Sequence, residues 1–187
     1  MPVRRAFRRV RRIALALLVL LMIGVAWYVW EVHVPDPLEK GEAAIVPSRT
    51  RGTDGRWHVG RNWLGHDPIG LHEAYIEGDA LERGLTYGAL ASELIARQEE
   101  IFVRRLRQMV PGGMRLDYLK YFTAWYNRDL DEHVPDEYLR EIYGVSRSFS
   151  DDYDFVGPKY LRALNYHSAH DIGHALQDLA MVGCTSF

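Results

Sequence analysis

The sequence predicts a mainly helical chain: one apolar helix at the N-terminus, about four further helices and one or two short strands. Three observations support this fold class. Residues 13–30 carry no charge. Helical periodicity with start and stop signals recurs four times after residue 79. In between, Pro and Gly are frequent, and only residues 71–76 alternate weakly, as a short strand would. We therefore divide the chain into an Arg-rich tail and apolar segment (1–32), a linker (33–70) and a helical region (71–187).

The first 32 residues have the composition of a membrane anchor. Six of the first twelve residues are Arg, and the apolar run that follows is just long enough to cross a bilayer core as a helix. The next Lys or Arg is Lys40, so the positive-inside rule places the N-terminus in the cytoplasm and the body in the periplasm or outside the cell. We expect a single-pass protein that contacts the membrane through residues 13–32.

A cleaved signal peptide is the alternative for the same segment. Gly24-Val25-Ala26 is a poor small-x-small cleavage site, and the apolar run is longer than the usual core of a signal peptide. Arg4-Arg5 resembles a twin-arginine signal only faintly, because so strongly apolar a stretch fits that route badly. Length and flanking charge favour a retained anchor.

The charge of the body argues against nucleic acid as a partner. Apart from the six N-terminal Arg, the chain holds 17 basic and 25 acidic residues. Phosphate binding depends on Lys and Arg, so an acidic body excludes most nucleic-acid-binding classes.

Four helices are predicted in the body. The first begins at Asp79, followed three residues later by Glu82 in a capping-box pattern, and it ends before residues 111–113, Pro-Gly-Gly. It contains Gly84 and Gly88, and Gly in a helix costs about 1 kcal/mol relative to Ala, so we expect close packing against another backbone there. The other three span about 115–130, a segment opening at Pro135, and about 157–180.

The last predicted helix carries an unusual stripe of polar residues within one sector of its surface: His167, His170, Asp171, His174 and Asp178. Three interpretations compete: a divalent metal site, a buried hydrogen-bond network and a solvated face. The network is favoured, because buried polar groups usually find partners without a metal and one helix rarely supplies every ligand. His170-Asp171 also resembles the His-Asp pair of metal-dependent phosphohydrolases, whose other ligands come from separate helices.

Cys184 is the only cysteine, so an intramolecular disulfide is impossible. A lone cysteine is most often a small buried side chain. Gly183 before it permits another interpretation, in which the thiol attacks the preceding carbonyl and forms a thioester. Hydrolysis would then free Cys184 as a new N-terminus, whose α-amine could act as base for its own thiol.

Two stretches resemble the acyl-coenzyme A:6-aminopenicillanic acid acyltransferase family of self-processing cysteine N-terminal-nucleophile (Ntn) hydrolases. One is Ile76-Glu77-Gly78-Asp79-Ala80-Leu81-Glu82-Arg83-Gly84, with Tyr87-Gly88 after it. The other covers residues 165–179 and leads into Gly183-Cys184-Thr185-Ser186-Phe187. The resemblance spans about 71–187 and depends on the order and spacing of both stretches.

The resemblance implies autocleavage between Gly183 and Cys184, with Cys184 as catalytic nucleophile and no metal or other cofactor. It implies a small acyl amide or acyl ester as substrate, hydrolysed or used for acyl transfer. His170 and Asp171 are expected to organise the site without touching substrate. The family builds its αββα sandwich mostly from sequence after the nucleophile. The chain is therefore expected to be the N-terminal part, inactive alone, with a C-terminal β-part as its partner.

Two rival functions remain open. A metal-dependent hydrolase would use His167, His170, Asp171 and His174 as ligands. A non-enzymatic, membrane-anchored helical module would present an acidic, aromatic-rich surface to a partner.

Overall fold

The structure is a computed structural model that describes residues 2–67, 69–109 and 118–175; side chains are described within residues 9–168, apart from 68, 109–117, 119 and 122. It consists of two compact units, Met1–Val34 and Pro35–Phe187, which are considered separately. As predicted, the described residues are mainly helical, with one long apolar helix at the N-terminus.

The first unit is a single helix, α1, over Pro2–Glu31. It begins well before the apolar run, so the Arg cluster is helical as well. Within it, the 23 residues Arg9–Glu31 include an 18-residue window whose mean hydropathy is 2.5. At 1.5 Å per residue they extend roughly 35 Å, which exceeds the hydrocarbon thickness of a bilayer. Length and composition therefore make α1 long and apolar enough to span a membrane.

The second unit contains a four-stranded antiparallel sheet in the order β1-β2-β3-β4. The strands are β1 (Thr50–Arg51), β2 (Trp57–Val59), β3 (Asn62–His66) and β4 (His72–Tyr75). A two-residue turn joins β2 to β3, and Gly60 has φ +58° there, the left-handed conformation that such tight hairpins favour. Leu64 of β3 is buried in the core against Leu90 and Ala91.

The prediction of a linker over residues 33–70 is wrong where β1, β2 and β3 lie. These strands are only two to five residues long, too short for alternation to be detectable among the surrounding Gly and Pro. The strand predicted over residues 71–76 is confirmed as β4. The sheet thus has four strands where one or two were expected.

Five α-helices follow in the described part of the second unit: α2 (Ala80–Leu90), α3 (Ser92–Met109), α4 (Leu119–Tyr126), α5 (Asp136–Ser146) and α6 (Lys159–Ala175). The predicted cap at Asp79 is confirmed, because its Oδ1 accepts a hydrogen bond from the Glu82 backbone N–H at 2.9 Å. The predicted first helix is in fact two, separated at Ala91. The helical spacing of apolar residues continues through Ala91, so the sequence does not indicate that one helix ends and another begins there. The expected stop at 111–113 and the extension of α6 to about 180 lie outside the described residues.

The backbones of α2 and α5 approach closely at glycines. A Cβ on Gly84 would overlap the Glu141 carbonyl oxygen and lie 3.0 Å from the Gly144 Cα. A Cβ on Gly144 would lie 2.7 Å from the Leu85 nitrogen and 2.8 Å from the Leu81 oxygen. The predicted close packing at Gly84 is thereby confirmed, and Gly144 is its counterpart on α5.

Residues 36–42, at the start of the second unit, are bound to α5. The Arg140 guanidinium donates to the Pro37 carbonyl at 3.2 Å and to the Glu42 carboxylate at 2.6 Å, which lowers the pKa of Glu42. The Tyr143 hydroxyl donates to Asp36 at 3.1 Å. These contacts join positions about one hundred residues apart, so this part of the expected linker is fixed to the body.

Arg49 connects the sheet to the junction of α2 and α3. Its guanidinium lies 4.1 Å from the Trp57 ring centroid, donates to the Leu90 carbonyl at 3.0 Å and forms an ion pair with Glu93. Hydrogen bonding by Arg49 is the main reason that the pKa of Glu93 falls from 4.5 to about 2. A carboxyl whose pKa is lowered by folding stabilises the fold above pH 4.5, and this contribution is lost as the pH falls toward 2.

We expect the Arg49→Gln variant to return the pKa of Glu93 to near 4.5, because the main group that stabilises its ionised form is gone. Carboxyl ¹³C NMR titration of wild type and variant measures this directly. The Arg104→Gln variant is the matched control, since Arg104 pairs with Glu100 on the same helix. A wild-type pKa of Glu93 above about 4 would contradict the prediction.

Candidate functional site

The residues predicted to form the site lie at or beyond the described end of α6. The His167 side chain is described and exposed. His170, Asp171 and His174 lie on α6, but their side chains are outside the described set, and Asp178, Gly183 and Cys184 are outside the described residues altogether. The roles of Cys184 as nucleophile and of His170 and Asp171 as organising residues therefore remain predictions.

The metal hypothesis likewise remains a prediction. Within the part of the chain that the structure describes, no group of three His, Cys, Asp or Glu side chains is arranged to hold a metal ion. Three of the four proposed ligands have no described side chain, so this observation does not bear on the set His167, His170, Asp171 and His174.

A groove of about 480 Å³ lies beside α6, the helix that precedes the predicted cleavage point. We call it the α6 groove. Its lining combines apolar, aromatic and polar side chains from α2, α3, the end of α5 with the turn after it, and α6: Tyr87, Ile95, Gln98, Glu99, Val145, Phe149, Ala163, Tyr166 and His167.

Glu99 in this groove belongs to a buried ion pair with Arg162, and both side chains are 1% exposed. Arg162 Nε donates to Glu99 Oε1 at 3.1 Å, and the Ser150 backbone N–H donates to Glu99 Oε2 at 3.0 Å. Burial raises the pKa of Glu99, and the bonds from Ser150 and Arg162 oppose that shift. The pair fixes α3 to α6.

The Arg162 guanidinium is surrounded by hydrogen-bond acceptors. Its Nη1 donates to Asp154 and to the Gly157 carbonyl, each at 2.8 Å, and its Nη2 donates to the Ser150 carbonyl. A guanidinium has five N–H donors, and these three contacts, together with the one to Glu99, involve all three of its nitrogens. Arg162 therefore offers little hydrogen-bonding capacity to a ligand.

Tyr166 contributes a hydroxyl with no hydrogen-bond partner among the described residues, although it is shielded from solvent. Its ring centroid lies 4.3 Å from that of Phe102 and 5.9 Å from that of Phe149. Burial is the main cause that raises the pKa of Tyr166, and the nearby negative charge of Glu99 adds to it. The hydroxyl therefore stays protonated. Because the hydroxyl oxygen is shielded from solvent, it does not face the α6 groove, which other atoms of Tyr166 line.

A larger cavity of about 790 Å³ lies between residues 42–47, the β2–β3 hairpin and the start of α2. Residues of the first motif, Glu77 to Glu82, form part of its wall. Its polar side chains already serve the fold: Glu77 pairs with Arg61, Glu42 binds Arg140 and Asp79 caps α2. These contacts stabilise the conformation of the motif, and they occupy the carboxylates of Glu42, Glu77 and Asp79.

Sequence reasoning missed Glu99, Arg162 and Tyr166. A signal for Glu99 was present, because it lies four residues after Ile95 and four before Val103, and both of those are buried. A charged residue within an apolar stripe of a helix indicates a buried partner. Arg162 and Tyr166 follow no comparable pattern.

Comparison with protein-family models, curated proteins and solved structures finds no match.

Proposed function

We propose that the chain is the N-terminal part of a self-processing cysteine Ntn hydrolase or acyltransferase, anchored in a membrane by α1 and acting on a linear amide or related acyl bond. The observation that carries the proposal is the ordered pair of motifs, the first opening α2 and the second running along α6 toward Gly183-Cys184. The packing of α2 on α5 and of α5 on α6 supports it, because it joins both motifs in one body.

In the proposed processing step, Cys184 Sγ attacks the carbonyl carbon of Gly183. The Gly183–Cys184 C–N bond breaks, the nitrogen takes a proton, and a thioester forms. Water then hydrolyses the thioester to give a Gly183 carboxylate and a free Cys184 thiol. The new α-amine accepts the thiol proton, and the thiolate attacks the acyl carbon of the substrate. The buried Glu99–Arg162 pair supports this scheme by fixing the helix that precedes the scissile bond.

The first test is the Cys184→Ala variant, made with whatever native sequence follows Phe187. We expect wild type to yield a fragment that starts at Cys184, and we expect the variant to yield none and to lose acyl-transfer or hydrolytic activity. Intact mass and N-terminal sequencing measure the outcome. Cys184→Ser is the control for folding, since its hydroxyl is a weaker nucleophile in the same place. Fragmentation that persists in Cys184→Ala would refute self-processing by this residue.

The same mass spectra address the anchor. The proposed single-pass topology, with a cytoplasmic N-terminus and a periplasmic or extracellular body, requires that residues 1–32 stay on the N-terminal fragment. A fragment that begins after residue 26 would instead establish a cleaved signal peptide.

The metal-dependent alternative has its support in the His/Asp stripe of α6. Less than about a tenth of an equivalent of bound zinc, manganese or iron in the purified protein would count against it, because such sites hold metal tightly. An unprocessed, metal-free chain would favour the non-enzymatic helical module.

A further inference from the structure

We propose that the imidazoles of His66 and His72, which face each other across the β3–β4 hairpin, form a surface site for a divalent transition-metal ion such as Zn²⁺ or Cu²⁺. Their ring centroids lie 4.0 Å apart, with an interplanar angle of 55°. Both side chains are exposed, and imidazole nitrogen is a preferred ligand of zinc, copper and nickel. This site is independent of Cys184 and of the His/Asp stripe on α6.

The register of the hairpin places the two histidines directly opposite each other. His66 of β3 pairs with His72 of β4, and beyond them, toward the turn, the Asp67 backbone N–H donates to the Leu71 carbonyl at 2.9 Å. Hydrogen-bonded and non-hydrogen-bonded pairs alternate in an antiparallel ladder, so His66 and His72 form a non-hydrogen-bonded pair. The Cα atoms of such a pair lie about 4.5 Å apart, and the side chains share one face of the sheet. The backbone therefore holds both imidazoles on the same side.

The turn beside this pair is fixed by Asp67. Its Oδ1 accepts hydrogen bonds from the backbone N–H groups of Ile69 at 3.1 Å and Leu71 at 2.7 Å. Its carbonyl oxygen accepts a further one from the Gly70 N–H at 3.1 Å. The spacing of the two strand ends is thus determined before any ion binds. Ligands that are already positioned lose little conformational freedom on binding, which favours chelation.

The distance between the two rings suits a shared ion after a small rotation. Zinc–nitrogen bonds are about 2.0–2.1 Å long, so an ion bound by one nitrogen of each ring, at an angle of about 90–110°, keeps the ring centroids about 4.5–5 Å apart. The exposed rings need to separate by no more than about 1 Å to reach this distance. Among the described side chains, no third His, Cys, Asp or Glu joins the pair, so water would complete the coordination. Such a site exchanges its ion with solvent.

A bound ion would fasten β4 to the sheet. β4 is an edge strand of four residues, exposed along its whole length, and its neighbour in the sheet is β3. An ion that needs both strands in place stabilises the closed hairpin by mass action. At a free ion concentration of about 100 times the Kd, opening of the hairpin becomes about a hundredfold rarer.

Titration of the full chain in lipid nanodiscs with zinc alone tests the site, with the imidazole ¹³Cε1 resonance of each histidine as readout. We expect the His66 and His72 resonances to shift together with one midpoint. Magnesium, which prefers oxygen ligands, should leave both unchanged. In His72→Ala the midpoint of His66 should rise at least about tenfold, because the second imidazole no longer chelates the ion, and His66→Ala should do the same to His72. Unchanged midpoints in these variants, or resonances that do not respond to zinc, would overturn the proposal.

His133→Ala is the matched control. His133 is also exposed, but its ring nitrogen lies 2.8 Å from the Asp129 carbonyl oxygen, and its removal should leave the His66 midpoint unchanged. Hydrogen exchange of the β4 amides is the second measurement. We expect zinc to slow exchange in wild type and in His133→Ala, but not in His72→Ala. Equal slowing in all three proteins would place the zinc effect outside this hairpin and refute the assignment.

Discussion

Replacing Gly84 with Ala should lower the free energy of opening of the α2–α5 pair by about 3 kcal/mol. The added methyl group would overlap the Glu141 carbonyl oxygen and crowd the Gly144 Cα, and both neighbours are backbone atoms. Backbone cannot rotate away as a side chain does, so α2 and α5 must separate. Hydrogen exchange of α2 and α5 amides, measured on the full chain in nanodiscs, reports this free energy.

Gly88→Ala is the matched control on the same helix. A Cβ there would lie 2.5 Å from Ser148 Oγ, the end of a side chain that can rotate, and 3.3 Å from the nearest backbone oxygen, that of Val145. Both variants gain the same helix propensity, about 1 kcal/mol. We expect Gly88→Ala to change the opening free energy by less than about 1 kcal/mol. Equal losses in the two variants would contradict the argument from backbone contact.

Replacing Arg162 with Met should cost about 4 kcal/mol, because it leaves the Glu99 carboxylate buried without its cation. The side chain of Glu99 is 1% exposed, so water cannot replace the lost partner without opening the core. Hydrogen exchange of α3 and α6 measures the loss. Because the pair also pays a desolvation cost in the native protein, the double variant Arg162→Met/Glu99→Leu should recover a large part of the stability.

The exposed pair of Arg104 and Glu100 provides the control for charge removal. It lies on α3 one residue beyond Glu99, and both side chains are more than half exposed. We expect Arg104→Met to change the opening free energy of α3 by less than about 0.5 kcal/mol. A double variant at Glu99 and Arg162 that is no more stable than Arg162→Met alone would contradict the role assigned to the unpaired carboxylate.

The features that could be predicted from the sequence are those determined by neighbours in the chain. The Asp79 cap requires only Glu82 three residues later, and α1 requires only a long apolar run. Gly84 was informative because glycine is unfavourable within a helix and therefore calls for a reason. In each case the physical cause lies within one or two helical turns.

The features that could not be predicted depend on contacts distant in sequence. The strands β1, β2 and β3 are so short that their conformation depends on pairing with neighbouring strands. Their own sequences contain too few residues to show an alternating pattern. The break at Ala91 leaves the apolar period intact. The α6 groove combines side chains from four helices, so its shape cannot be inferred until those helices pack. The predicted nucleophile was inferred from a local motif and stays a prediction.

The contact between Gly84 and Gly144 has a consequence for how this sequence can evolve. In most cores a larger residue can be accommodated when its neighbour becomes smaller. Here each glycine faces the other helix's main chain, and its counterpart already lacks a side chain. No compensating substitution is available at the partner position. Each glycine is therefore constrained on its own. Substitutions elsewhere in α2 or α5 could make room for a side chain at either position only by moving a whole helix.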